Sequence, residues 1–155
     1  MNLVDYTVSA MVSPSEPKPA APTVLVVDDI PHVVSLHSAV LHAAGFNILE
    51  AFSGLQAIEI VRATRPDAVV SGVIMPNEDG TPAMDGFDAA EQILRLYPAL
   101  PFLFVTGSYP FTKDKARQEK IRRLREKNYI FDVWRKPCNP ESLVNKVGRM
   151  TCPKK

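Results

Sequence analysis

A chain of 155 residues, 46% hydrophobic and 23% charged, is one domain's worth of sequence with enough apolar content to build a core without disulfides or structural metal. A net charge of +1 excludes a general electrostatic pull toward nucleic acid or membrane. No run reaches the ~20 apolar residues of a membrane span, the N-terminus has no basic signal-peptide region, and Cys138 and Cys152 stand at no metal-ligand spacing, so reduced cysteines and a cytoplasmic location are expected.

Residues 1–22 read as a flexible, Pro-rich leader, because Pro14, Pro17, Pro19 and Pro22 interrupt any helix and remove ladder donors. The folded part is expected over 23–150, with 151–155 a short tail. Thr23–Val27 is a continuous apolar, β-branched run that suits a strand buried on both faces. Asp28-Asp29 ends it, and Pro31 opens a helix with Val33, Leu36, His37, Val40 and Ala44 at helical spacing and Gly45 after its end. Strand two is Asn47–Ala51. A helix over Gly54–Thr64 follows, capped by Ser53, with Leu55, Ile58 and Val61 inward. Strand three is Ala68–Val70.

After a loop, Gly86–Tyr97 is a helix with Phe87, Ala90, Ile93 and Leu94 inward. Pro101–Val105 is strand four. Thr112–Lys127 is a charged helix with a thin apolar stripe of Ala116, Ile121 and Leu124. Ile130–Trp134 is strand five, and Pro140–Arg149 is the last helix, capped by Asn139. Strands alternating with helices predict an α/β fold: a doubly wound, flavodoxin-like (βα)5 parallel sheet of order 2-1-3-4-5. Ligands of such sheets meet the carboxyl ends of the strands. That edge gathers Asp28-Asp29, Ser71-Gly72, Thr106-Gly107 and Lys136-Pro137.

Adjacent carboxylates at a strand end are tolerable when a lysine or a hard cation neutralises them, and Lys136 is placed to do so. Thr106 adds a hydroxyl for an oxyanion. Carboxylates, hydroxyl and ammonium form the skeleton of a phosphoryl-transfer pocket, which also needs a nucleophile. The plainer alternative is that the acidic pair only caps the helix at Pro31.

The chain resembles the response-regulator receiver domain of two-component signalling from about Thr23 to Arg149. The resemblance rests on VLVVDD at 24–29, PDAVV at 66–70, MP at 75–76, MDGFDA at 84–89, FVTG at 104–107 and RKP at 135–137. It implies that Asp28 and Asp29 match the family's Mg²⁺-holding pair, Thr106 its phosphate-sensing hydroxyl and Lys136 its phosphate-pairing lysine. It also implies that the phosphoacceptor aspartate belongs four residues before Pro76, where this chain has Gly72. Glycine offers no nucleophile and no metal ligand, so Mg²⁺ binding is expected to be weak, the acidic pair vestigial, and no other cofactor or catalytic residue is assigned. Asp67 belongs at the opposite edge of the sheet, and Ser71 faces the other side of the strand.

The family usually passes from MP to MDG through about one residue. Here Asn77–Pro82 intervene, carrying Glu78 and Asp79. Either carboxylate is a candidate substitute at the vacated position, and the alternative is a solvated turn. The family's strand-five aromatic switch position holds Val133, and Trp134 is expected to pack against a helix. His32, His37 and His42 are spaced by five and scatter around their helix, with His37 half-buried.

The 113–127 helix is strongly basic. Arg122, Arg123 and Arg125 suit an acidic protein partner, with nucleic acid a lesser alternative. The competing reading is a solvated face with internal pairs such as Glu119–Arg123. The expected protein is a stand-alone, non-enzymatic pseudo-receiver. Its partner would be a histidine kinase, another regulator or a second copy of itself, and it would have no membrane role.

Overall fold

The computed structural model describes residues 20–127, 129 and 132–152. Most of the expected leader, and Ile130 and Phe131 of the expected fifth strand, lie outside the described residues. The elements are β1 (Thr23–Val27), α1 (Pro31–Ala43), β2 (Asn47–Ala51), α2 (Gly54–Thr64), β3 (Ala68–Ser71), α3 (Gly86–Leu96), β4 (Phe102–Thr106), α4 (Lys115–Glu126), β5 (Asp132–Arg135) and α5 (Pro140–Thr151). All pairings are parallel, in the order β2-β1-β3-β4-β5. This is the flavodoxin-like arrangement the alternation predicts.

The continuous apolar strands are explained by their two buried faces. Val24, Val26, Ala68, Val70, Leu103 and Val105 pack against α1 and α5 through Val34, Leu41, Leu143 and Val147. Leu25, Val27, Val69, Phe102 and Phe104 pack the other way, against α2, α3 and α4. Phe87 of α3 meets Phe104 edge-to-face with ring centroids 4.8 Å apart. Aromatic pairs of this geometry add about 0.5–1.5 kcal/mol beyond their area burial.

Ser53 and Asn139 cap α2 and α5 as expected, each accepting a backbone N–H three residues on. Trp134 packs beside α5, with Lys146 over its ring and its indole N–H donating to Asp132. Three helix faces are corrected. In α1 the buried set is Val34, His37, Ser38 and Leu41, and Leu36 is exposed. Val33 with Val40 and Val34 with Leu41 are adjacent apolar registers of one helix, and the second is the buried one. In α2, Gly54 packs against Ala89 and Met84, and this close approach turns Leu55 to solvent. In α4, Ala116 is exposed, leaving Ile121 and Leu124 buried.

Candidate functional site

Parallel pairing brings the carboxyl ends of β1 and β3 side by side, with Val27 opposite Ser71 and the Gly72 amide donating to the Val27 carbonyl at 2.8 Å. Asp28 is therefore held beside Gly72. On the far side, the Lys136 amide donates to the Thr106 carbonyl and fixes the start of the loop after β5 against the end of β4. From there Lys136 Nζ reaches Asp28 Oδ2 at 2.8 Å.

The space at residue 72 is taken by this pair. A Cβ built on Gly72 would lie 2.6 Å from Asp28 Oδ2 and 3.2 Å from its carboxyl carbon. The Asp28 carboxylate thus occupies volume that any side chain at 72 would need. Asp28 is 2% exposed, so its charge depends on a partner. Removing one member of a buried pair typically costs about 3–5 kcal/mol. Lys136 retains a quarter of its side-chain exposure, which places this pair toward the lower end. The other Asp28 oxygen accepts the Ile30 amide at 3.1 Å, so the carboxylate also closes the turn into α1.

Asp29 is half-buried. Burial and then the neighbouring Asp28 push its carboxyl above the ordinary range. His37, beneath this cluster, is held below its ordinary value mainly by burial. It contacts Cys138 Sγ through Nε2 at 3.7 Å. Thr106 is buried at the end of β4, and its hydroxyl oxygen accepts the Ser108 amide at 3.4 Å. Ser71 is committed elsewhere, donating from Oγ to the Gly72 carbonyl at 2.7 Å.

These residues offer Mg²⁺ few free oxygens beyond the Asp29 carboxylate. That ion asks for near-octahedral oxygen ligation at about 2.0–2.1 Å. Here one Asp28 oxygen holds an ammonium, the other holds a backbone amide, and position 72 supplies no oxygen from a side chain. Isothermal titration is expected to show no Mg²⁺ affinity tighter than millimolar. A sub-millimolar constant would mean that Asp28 leaves Lys136 for the metal.

Glu78 and Asp79 are exposed. Their loop closes on itself: the Asn77 amide donates to the Thr81 carbonyl, and the Gly80 amide to the Asn77 carbonyl. Asp79 Oδ1 accepts both the amide and the hydroxyl of Thr81, at 2.9 and 2.6 Å. These bonds hold its carboxyl below the ordinary range.

The basic helix spends much of its charge within the molecule. Arg122 pairs with Glu119 and Glu126, Arg123 with Glu91 of α3, and Arg125 reaches the Tyr109 hydroxyl at 3.4 Å. The expected Glu119–Arg123 pair is replaced by Glu119–Arg122, because Arg123 turns inward across the α3–α4 seam. The pairing went unread for one further residue, Asp85. It is 1% exposed and caps α3 in a reciprocal arrangement with Asp88. It also accepts Arg117 Nε and Lys120 Nζ, each at 3.0 Å. The sequence carried a signal, since Arg117 and Lys120 share a helix face with Ile121 and Leu124.

A family model described as the response regulator receiver domain matches residues 24–148. The probable transcriptional regulatory protein TcrX of Mycobacterium tuberculosis is 39% identical over 85 residues, 55% of this chain and 34% of its own length. Protein PilH of Pseudomonas aeruginosa is 28% identical over 81% of this chain and 93% of its own. Several curated relatives are far longer, and the chain spans only 10% of the autoinducer 1 sensor kinase/phosphatase LuxN of Vibrio harveyi. Among solved structures, a putative response regulator from Chloroflexus aurantiacus superposes with a TM-score of 0.68 at 26% identity, covering 84% of this chain and 98% of that one. A CheY-like receiver domain protein from Methanospirillum hungatei gives 0.71 at 18% identity over 84% and 94%, a likeness of fold.

Proposed function

Because this chain belongs to the response-regulator receiver family, we propose that it serves two-component signalling as a pseudo-receiver, a domain that binds its partner without being phosphorylated. The observation that carries this reading is Gly72 at the end of β3, with the Asp28 carboxylate lying where a side chain at 72 would begin and bonded to Lys136. In a phosphorylatable receiver that aspartate attacks the donor, the acidic pair holds Mg²⁺, and the lysine and threonine receive the phosphoryl group. Here the lysine already has its anion. Thr106 and Lys136 are remnants of the phosphate pocket, and Asp28 and Asp29 are remnants of the metal pair. The domain acts by binding and carries no catalytic residue.

Glu78 and Asp79 are weak substitutes in this reading, since Asp79 is committed to Thr81. The partner is a signalling protein, a histidine kinase or another regulator. Of Arg122, Arg123 and Arg125, Arg125 keeps the freest charge, since among the described residues its side chain makes a long hydrogen bond to a neutral hydroxyl and no ion pair.

Capture from lysate with the purified chain as bait tests the proposal. The recovered kinase or regulator should bind with the same affinity with and without acetyl phosphate and Mg²⁺. Affinity that rises severalfold only after phosphodonor treatment would reject a phosphorylation-independent role.

A further inference from the structure

The buried carboxylate of Asp85 is not used by the strand-end site. Its Oδ1 accepts the Asp88 amide at 2.8 Å, completing the α3 cap. Its Oδ2 receives two cations from α4, Arg117 and Lys120. Arg117 also holds Asp114, the cap residue of α4, at 2.7 Å, and Lys120 also holds Asp88 at 2.9 Å. Five charged groups, Asp85, Asp88, Asp114, Arg117 and Lys120, thus form one network between the starts of two helices.

Among the described residues, α4 is otherwise held by the Arg123–Glu91 pair, by Gln118 donating to the Phe111 carbonyl and by a small apolar contact. Its buried residues are Ile121 and Leu124, against Phe87, Ala89, Ala90, Ile93 and Leu94 in α3. An element with few buried apolar contacts opens at a fraction of the global unfolding free energy. Charge-assisted hydrogen bonds to a buried carboxylate are about twice as strong as neutral ones. They therefore supply a large share of what holds this helix. Burial works against the charged form of Lys120, but the Asp88 and Asp85 carboxylates outweigh it and raise its pKa.

We infer that Asp85 is a latch. Through Arg117 and Lys120 it holds α4 down on α3, and α4 undocks as a unit, with the sheet still folded, when that latch opens. The latch is anchored to the strand-end site, because the next amide, Gly86, donates to the Val73 carbonyl at 2.8 Å. A docked or undocked α4 is then a two-state element governed by a carboxylate. This holds whether or not residue 72 takes part in signalling.

Asp85→Asn separates the latch from the cap, since asparagine caps helices as well as aspartate does but offers the cations no charge. In native-state hydrogen exchange followed by mass spectrometry, amides of residues 118–126 should exchange ahead of those of β1 and β3 in the wild type, and at least about tenfold faster again in Asp85→Asn. Unchanged exchange in α4 would overturn the latch. Exchange of α4 in step with β1 and β3 in both proteins would overturn it too, since the helix would then open only with the whole domain. Should Asp85→Asn fail to fold, the Arg117→Gln/Lys120→Gln double variant opens the latch from the α4 side and must show the same local acceleration. Its absence there is equally fatal.

Discussion

Gly86→Ala is expected to destabilise the domain by about 3 kcal/mol, at the upper end of the ~1–3 kcal/mol cost of overpacking. A Cβ on Gly86 would fall 2.1 Å from the Gly72 carbonyl oxygen and 3.1 Å from its carbon, with Ser71 Oγ at 3.2 Å. The obstructing atoms are backbone and cannot swing aside. Gly72 is tied to β1 through its amide, and its carbonyl is held by Ser71 Oγ. Gly86 is in turn pinned by its own bond to Val73 and by the Asp85 cap. Relief would require pulling α3 away from the sheet, which exposes Phe87. For a domain of this size, ~3–4 °C per kcal/mol puts the melting temperature about 10 °C lower.

Gly148→Ala is the control. It lies in α5 with nothing within 4 Å of its added Cβ. Its higher helix propensity should raise stability by about 0.5–1 kcal/mol. Thermal melts followed by circular dichroism read both variants. A Gly86→Ala melt within 2 °C of wild type, against the roughly 10 °C expected, would mean that the 72–86 approach is looser than the geometry describes.

Most of the fold was legible because the strand runs are apolar throughout and the breakers are strong. Pro31, Ser53 and Asn139 marked helix starts that the structure keeps. The departures have local causes. Strand four begins at Phe102, one residue late, because Pro101 has no N–H for the ladder, although its carbonyl still accepts from Val69. The fourth helix begins at Lys115, not Thr112. Asp114 is its cap, and Phe111 before it has a positive φ of 62° that no helix continues through. Helix faces were misread where two adjacent registers were both apolar, Val33 with Val40 against Val34 with Leu41.

The candidate site was half legible. The order of motifs placed Asp28, Gly72, Thr106 and Lys136 on one edge, and the pairings put them there. That Asp28 would lean into the volume vacated at residue 72 depends on a three-dimensional contact with no sequence period. The ion-pair role of Asp85 is illegible in its motif for a similar reason. A buried anion is recognised by the cations that reach it, and those lie 32 and 35 residues away.

We propose that position 72 has left phosphoryl chemistry. Receivers take phosphate from small donors because the pocket itself supplies catalysis, by positioning a nucleophile in line and neutralising charge. Here no side chain projects from residue 72, and the lysine that would receive the phosphoryl group is bonded to Asp28. Restoring the carboxylate with Gly72→Asp would bring its Cβ to 2.6 Å from Asp28 Oδ2, so the Asp28 side chain must shift to admit it. The most direct measurement is intact mass spectrometry of the wild-type chain after incubation with acetyl phosphate and Mg²⁺. The expected spectrum carries no added phosphoryl mass. A stable, hydroxylamine-labile adduct that disappears in a Glu78/Asp79 double variant would contradict the account and establish a relocated phosphoacceptor.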